Sequence, residues 1–420
     1  MELKRLFKRY KTFEEVDLFT KIVIVLYCVR VLASAWLAFD IAGHKIFQFI
    51  ISWTGKLALL VAIVYIFKVQ KRITYKSLGL CILPTIYTIL ILLRDTNFAY
   101  FSYSIISILA VYLFLLLSDQ LKRKIVELFY ELVIISIVLS TFAYFYTLLG
   151  LPVKTVSYYT IAYKTHFYYQ FGPLAILNSG GLLRMCGPFN EGGNLGTICA
   201  FLYAIFDEKN TKIEKAILIV GILLSFSLAG WLLLLIYWLG DLISKKQLKS
   251  IIIIAALIAT ILILPTIDFG NEYVNSFVQR FAITSDGLSG DNRTWEGFDQ
   301  QYDSIVNSDR KWWGAGLDYK VADGSSYKSY IITYGYIGTL MLAMPWLFMC
   351  IKYGRKTKHG IIYIVVFFIS LYQRPAPITS LFGYAMMFGG LDVMSYDYKL
   401  LDKVNIGEYD DKSNAVNTWI

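Results

Sequence analysis

Charged residues are scarce in this chain. Only 17% of its 420 residues are Asp, Glu, Lys or Arg, whereas a soluble globular protein contains about 25%. Hydrophobic residues make up 57% of the chain, and the mean hydropathy is +0.56. A soluble protein of this length would need more polar surface than the sequence can supply. The composition therefore excludes an ordinary soluble enzyme, a disordered protein and a secreted scaffold held together by disulfides.

Residue types that commonly bind metals or form disulfide frameworks are also few. The five cysteines are scattered, mostly in or beside apolar segments, and are expected to be small buried hydrophobic residues. The three histidines are far apart, and His359 lies in a basic connector where we expect it to be solvated. There is no Walker loop, glycine-rich dinucleotide turn or nucleophile elbow. The sequence therefore predicts neither a cofactor nor a metal centre.

Long apolar segments dominate the chain instead. A membrane-spanning helix needs about 20 mostly apolar residues. The predicted spans are 19–39, 47–67, 78–93, 98–117, 126–149, 194–206, 251–267, 330–351, 361–371 and 378–394. With the helical hairpin described below, they predict one all-α, polytopic transmembrane domain over 1–420 with about 12 transmembrane helices.

Basic residues cluster in short connectors between these segments, at 68–76, 122–124, 209–215 and 352–358. Connectors rich in Lys and Arg stay on the cytoplasmic side of a membrane. The pattern therefore places these connectors, both termini and a tail of 396–420 in the cytoplasm. The formal net charge of +10 forms no basic stripe with interleaved aromatic residues, so we expect no nucleic-acid partner.

Residues 216–240 form an apolar segment with basic residues beyond both ends. The run 225–230 (SFSLAG) lies at its centre, and we interpret the segment as a broken hairpin of two short helices. Irregular backbone at membrane depth is tolerated only where protein or water covers it, so such a hairpin would border a cavity. A single long span is the alternative.

Two long segments, 150–193 and 268–329, fall on the external side, and loops of this length are usually functional. The first contains Arg184, and the second contains Arg280 and Arg293. A guanidinium group is always charged and offers a planar fork of donors that matches phosphate oxygens. We therefore expect the three arginines to converge on one anionic group at the outer membrane surface.

These arginines also have structural interpretations, which the sequence leaves open. Arg184 can anchor to lipid headgroups, and the loop arginines can form weak surface salt bridges. The acidic neighbours available for such bridges are Asp286, Asp291 and Asp299. Arg30 lies within the first apolar segment, where a charge is costly and marks either a functional site or an ion pair inside the bundle.

Two polar residues follow Arg184 in a glycine-rich turn. Asn190 is a candidate for substrate binding, and its alternative role is that of a helix N-cap. Glu191 is the best-placed carboxylate for a general base.

Aromatic candidates lie in both external segments. Tyr168 and Tyr169 belong to a tyrosine-rich stretch, whose rings can stack on sugars or lie in the membrane interface. Trp295, which follows Arg293 closely, is a further candidate for substrate binding.

Three segments resemble the O-antigen polymerase and O-antigen ligase superfamily of bacterial membrane glycosyltransferases. Residues 184–191 (RMCGPFNE) are similar to the family's arginine–glycine–aromatic–Asn/Glu segment before a span. The break at 225–230 resembles the family's serine-containing turn. Segment 268–329 and the following 334–338 (YGYIG) resemble its large periplasmic loop and next helix.

The resemblance implies a metal-independent, all-helical enzyme at the outer, periplasmic face of the bacterial inner membrane. Its donor and acceptor would be oligosaccharide repeat units linked to undecaprenyl pyrophosphate. The expected product is a surface polysaccharide, either O-antigen or capsule. Membrane lipids and a chain-length-regulating membrane protein are further expected partners. Arg184, Arg293 and Arg280 would stabilise the charge on the leaving pyrophosphate.

The ligase branch usually has a histidine–asparagine pair before the helix that begins here near 330. This sequence has Ser325-Ser326-Tyr327-Lys328 instead, which favours the polymerase. The alternatives are an O-antigen ligase that transfers glycan to lipid A-core and a lipid-linked glycan flippase or transporter. The sequence shows no internal repeat of the kind common in transporters.

Overall fold

The chain is mostly helical in the part that the structure, a computed structural model, describes. The described residues are 16–35, 37, 45–94, 98–159, 165–179, 182–247, 252, 259, 262–270, 275, 278–284, 287–288, 296–317, 319, 321 and 326–396. The helices are α1 (Leu18–Ala33), α2 (Lys45–Tyr65), α3 (Tyr75–Leu80), α4 (Ile82–Arg94), α5 (Phe98–Leu116), α6 (Asp119–Leu148), α7 (Gly192–Phe206), α8 (Lys212–Ser225), α9 (Leu228–Ser244), α10 (Glu296–Val306), α11 (Tyr327–Gly354), α12 (Gly360–Gln373) and α13 (Leu381–Ser395). The strands are β1 (Thr155–Tyr159), β2 (Thr165–Phe171), β3 (Leu174–Ser179), β4 (Leu182–Gly187), β5 (Ile283–Thr284) and β6 (Gly287–Leu288).

Four helices among the described residues are long and apolar enough to cross a membrane. They are Gln48–Gln70, Tyr75–Leu93, Asp119–Leu148 and Tyr327–Gly354. Shorter apolar helices include α7, α9, α12 and α13. These helices indicate a membrane-embedded protein, whereas the finer prediction of about 12 spans stays a prediction. About half of the predicted span at 251–267 lies outside the described residues.

The long helix α6 begins earlier than the predicted span at 126–149. Ser118 caps it, because its hydroxyl accepts a hydrogen bond from the amide of Leu121 at 3.3 Å. The basic triplet 122–124 therefore lies inside the helix and is buried, so the prediction that it forms a connector is wrong. The triplet's carboxylate partners are Asp119 for Lys122 and Glu127 for Arg123 and Lys124, at nitrogen–oxygen distances of 3.0, 3.5 and 3.3 Å.

The prediction of a solvated His359 is also wrong. Its side chain is only 5% exposed and lies 3.4 Å from carboxylate oxygens of both Glu208 and Asp241. His359 is the N-cap of α12 and adopts a left-handed backbone conformation, with φ of 59°. The tight reversal between α11 and α12 brings the ring against the residues that follow α7 and the end of α9.

An antiparallel sheet of four strands in the order β1-β2-β3-β4 occupies most of the first long segment. The sequence analysis predicted no sheet there. One face packs against α6: Ile176 and its cross-strand partner Met185 are fully buried, and Tyr144 donates a hydrogen bond to the carbonyl of Leu183. The sheet is thus attached to the end of a candidate span.

The apolar segment 216–240 is two helices, α8 and α9, that meet at Phe226 and Ser227. Phe226 has a left-handed backbone with φ of 46°, and the hydroxyl of Ser227 caps α9 by accepting from the amide of Gly230 at 3.1 Å. Both helices pack against α7. The crossing is close, since a Cβ added to Gly230 would lie 2.8 Å from the backbone of Gly196.

Helix α11 is kinked at Gly335, where the loop before the helix inserts its backbone. The amide of Ala315 donates to the carbonyl of Ile332 at 2.7 Å, and the amide of Ile337 donates to the carbonyl of Trp312 at 3.0 Å. Gly335 has φ of 68°, and a Cβ there would lie 2.4 Å from Trp312. These bonds fix the second long segment to a candidate span.

Candidate functional site

The N-terminus of α7 is the point where four segments meet. Strand β4, the break between α8 and α9 and the end of α12 all lie against this helix. A helix N-terminus carries unsatisfied amides and a partial positive charge, so it favours an anion nearby. Two arginines from different segments, Arg184 and Arg374, reach this region.

Arg184 reaches the site from β4. Its Nε donates a hydrogen bond to the carbonyl of Ser225 at 3.1 Å. That carbonyl is available because α8 ends there, and a helix leaves its last carbonyls without intrahelical partners. A Cβ added to Gly192 would lie 2.5 Å from the same oxygen and 3.4 Å from Nε, so glycine at this position lets α7 begin beside Arg184.

Arg374 reaches the same helix from the end of α12, and the sequence analysis missed it. It is 8% exposed, and its Nη1 lies 2.7 Å from Oε1 of Glu191. Nη1 also donates to Oδ1 of Asn194, whose own amide donates to Oδ1 of Asn190 at 2.6 Å. The signal that could have identified it is an arginine directly after an apolar span, in the run QRPAP.

Tyr168 and Tyr169 have different surroundings because neighbouring strand residues point to opposite faces. Tyr168 shares a cross-strand row with Leu177 and Arg184, and its hydroxyl donates to the backbone carbonyl of Asn190 at 2.7 Å. Tyr169 pairs with Ile176 on the face that packs against α6. The structure therefore brings Tyr168, and not Tyr169, to the arginine site.

The ion pair with Arg374 bears on the expected role of Glu191. The guanidinium of Arg374 occupies Oε1 of Glu191. Glu191 is also 28% exposed, whereas Arg374 is nearly enclosed. The geometry therefore favours a positioning role for Glu191, in which it holds the arginine at the start of α7.

A small cavity lies beside this ion pair. It has a volume of about 20 Å³ and is lined by both polar and apolar side chains. The polar lining comes from Asn194, Thr197, Ser370 and Arg374. This volume has room for about one water molecule, and the polar groups are numerous enough to hold one. A larger ligand would have to approach from the more exposed side, where Glu191 lies.

Arg30 lies in the last turn of α1 and not in the middle of a span. Its side chain packs against α2 at Gly55, where an added Cβ would lie 2.9 Å from Nη1. A cation is favoured in the last turn of a helix. Beyond α1, Leu37 forms a bridge to Phe189, which ties this part of the chain to the turn before Asn190.

The remaining candidates belong to the second long segment. Arg280 lies in the short helical turn Gln279–Phe281, which packs against the turn Leu264–Thr266. Arg293 and Trp295 lie outside the described residues. The convergence of Arg184, Arg280 and Arg293 on one group therefore stays a prediction.

The second long segment also contains the acidic residues expected to pair with the loop arginines. Asp299 forms an ion pair with Lys328 at 2.6 Å. Asp286 and Asp291 lie outside the described residues. The described residues also contain no group of three or more His, Cys, Asp or Glu side chains placed to hold a metal ion.

Comparisons with protein-family models, with curated proteins and with solved structures each found no match. The family resemblance therefore stays a prediction.

Proposed function

We propose that this protein is a polymerase that joins oligosaccharide repeat units carried on polyprenyl pyrophosphate into a surface polysaccharide. The observation that supports the proposal is that Arg184 and Arg374 both lie beside the first residues of α7. They are cationic groups from two separate segments, held by the backbone of Ser225 and by Glu191. A pyrophosphate is the kind of anion that such an arrangement stabilises.

The proposed reaction is a group transfer between two lipid-linked glycans. A hydroxyl oxygen of the acceptor sugar forms a bond to the anomeric carbon of the donor. The bond between that carbon and the pyrophosphate oxygen breaks, and polyprenyl pyrophosphate and one proton are released. Negative charge develops on the pyrophosphate oxygens, so guanidinium groups fixed in advance lower the barrier. Arg184 and Arg374 serve this role in the proposal, and Arg293 and Arg280 are further candidates.

The other residues of the site would support these arginines. Glu191 and Asn194 hold the guanidinium of Arg374, and Tyr168 fixes the turn through the carbonyl of Asn190. A bidentate contact requires an oriented guanidinium group, so such restraint matters for catalysis. In this scheme the outer face of the inner membrane supplies the substrate, since only translocated lipid-linked units reach it.

A strain that lacks this protein tests the proposal against its rivals. The surface lipid of that strain should carry a single repeat unit, because export and ligation continue without polymerisation. Loss of a ligase would instead leave long chains on the polyprenyl carrier and no surface glycan. Loss of a flippase would leave single units on the inner leaflet, where an external glycosidase does not reach them. A ladder of many repeat lengths in the deletion strain would contradict the polymerase.

A further inference from the structure

A second polar site lies at the Asp119 end of α6, which is the end far from the four-stranded sheet. It is a cavity of about 370 Å³, and its lining includes Lys76, Asp119, Arg123, Asp392, Ser395 and Tyr396. With 30 residues, α6 is about 45 Å long, so the cavity is separated from the arginine site by most of a membrane thickness. The proposed reaction makes no use of it.

The cavity lies where two candidate membrane spans begin. The span Tyr75–Leu93 starts one residue before Lys76, and the span Asp119–Leu148 starts at a residue that lines the cavity. The ends of membrane spans lie at the level of lipid headgroups. The volume is also within the usual range for a small-molecule site, which is about 300–1,000 Å³.

Charges around the cavity favour an anionic ligand. Two cations, Lys76 and Arg123, and two carboxylates, Asp119 and Asp392, line the cavity. The ion pairs that continue from this lining add Lys122 and Lys124 against Glu127. This set leaves one positive charge in excess, and the N-terminus of α6 adds its partial positive charge. Arg123 is also fixed in place, because its guanidinium lies 3.3 Å from the centre of the Tyr396 ring.

The same cavity requires a hydrogen-bond donor. Asp392 is 7% exposed, and its Oδ1 is bound by Lys76. Its Oδ2 is buried and has no hydrogen-bond partner among the described residues. A buried carboxylate oxygen without a donor is costly, and a ligand hydroxyl would satisfy it. The ligand should therefore carry hydroxyl groups as well as a phosphate.

We infer that this cavity binds a glycerol-phosphate type of group: a phosphodiester or phosphate monoester with free hydroxyls. The phosphate would contact Arg123 and Lys76, and a hydroxyl would donate to Asp392. The group can come from an anionic phospholipid head or from a soluble glycerol phosphate. The position at the start of two candidate spans favours the phospholipid.

Native mass spectrometry of the detergent-purified protein tests this site with dioleoyl-phosphatidylglycerol as the probe. Ser395 is exposed at the cavity, so Ser395→Trp fills the cavity without removing a charge or a core contact. Ser244 is a matched control, because it is exposed near the end of α9 and its hydroxyl also bonds to the carbonyl three residues earlier. We expect phosphatidylglycerol binding to fall about tenfold in Ser395→Trp and to be unchanged in Ser244→Trp, a difference of about 1.4 kcal/mol.

Two further arms identify the source and the chemistry of the ligand. Dioleoyl-phosphatidylcholine, which has no headgroup hydroxyl and no net charge, should bind at least about tenfold more weakly than phosphatidylglycerol. Competition by millimolar glycerol 3-phosphate would identify a soluble ligand of the same chemistry, and its absence would identify the lipid. Arg123→Lys should retain more binding than Arg123→Gln, because the charge is kept. Equal phosphatidylglycerol binding in wild type and Ser395→Trp, or equal binding of the two lipids, would overturn the inference.

Discussion

Arg374 and Glu191 form an ion pair at the start of α7, with 2.7 Å between Nη1 and Oε1. The two residues are far apart in the sequence and lie on different elements. The pair joins the end of α12 to the turn that follows β4, and Arg184 contacts the neighbouring break between α8 and α9. The candidate site therefore depends on the packing of several helices and not on one sequence motif.

The first prediction concerns the charge at Arg374. Arg374→Ala should lower the rate of glycan extension by about 10²–10³-fold, the usual cost of removing one donor to a developing anion. Arg374→Lys should restore little of this rate, because an ammonium group does not reproduce the two parallel hydrogen bonds of a guanidinium group. The measurement is the length distribution of surface glycan in a deletion strain complemented with each variant.

Arg310→Ala is the matched control for this substitution. Arg310 is exposed in the second long segment and lies outside the ion pair, so its replacement should leave the glycan ladder unchanged. Glu191→Gln should impair extension less than Arg374→Ala does, since Glu191 only positions the guanidinium in this account. Full extension by Arg374→Ala would remove this residue from the mechanism.

The second prediction concerns the kink of α11. Gly335→Ala should lower the thermal midpoint of the purified protein well below that of wild type. Two causes act together: φ of 68° is unfavourable for alanine, and the new Cβ would lie 2.4 Å from the backbone of Trp312. Differential scanning fluorimetry in detergent measures the change.

Gly172→Ala separates these two causes. Gly172 has φ of 59°, but an added Cβ there would meet no atom within 4 Å. The free energy of unfolding of this variant should fall by only about 1–2 kcal/mol, the cost of a left-handed backbone for alanine. Equal midpoints for the two variants would mean that the loop at 312–316 is not packed into the kink.

Several features of the fold follow from local sequence. The break between α8 and α9 coincides with the run 225–230, where two serines and a glycine interrupt an apolar segment, and Ser227 is a favourable N-cap. The membrane-embedded class follows from the apolar segments, and four of them are long enough to cross a bilayer among the described residues. These properties depend on residues that are close in sequence.

The features that the sequence analysis missed depend on tertiary contacts or on weaker signals. The sheet in 150–193 has two short turn signals, Gly172-Pro173 and Gly180-Gly181. Its strands show no clear alternation of polar and apolar residues, and β1 and β2 have aromatic residues at neighbouring positions. The start of α6 could have been found from Ser118-Asp119, a capping signal that the charge pattern obscured. Arg374 has only a weak local signal, its place directly after an apolar span, and its contact with Glu191 arises only when α12 packs beside α7.

The third prediction concerns the side of the membrane on which each of two exposed serines lies. Ser304 is exposed on α10, and Ser244 is exposed near the end of α9. In a Cys81→Ser background, a membrane-impermeant maleimide should label Ser304→Cys in intact spheroplasts. It should label Ser244→Cys only after permeabilisation, because the basic residues near that end of α9 predict a cytoplasmic position. The other four cysteines are buried and should contribute little background.

The opposite labelling pattern would place the second long segment in the cytoplasm. The proposed polymerase needs an external site, since its substrate is a translocated lipid-linked glycan. Labelling of Ser244→Cys in intact spheroplasts, with protection of Ser304→Cys, would therefore contradict both the orientation and the proposed function.

Extension of a lipid-linked repeat unit by the purified protein tests the central claim most directly. The protein would be placed in proteoliposomes with polyprenyl-pyrophosphate-linked repeat units as the only substrate, and the products would be separated by length. The account predicts chains of two or more repeats, release of one polyprenyl pyrophosphate per bond formed, and loss of both in Arg374→Ala but not in Arg310→Ala. Repeat units that cross the bilayer without being joined, or that are transferred singly to lipid A-core, would contradict it.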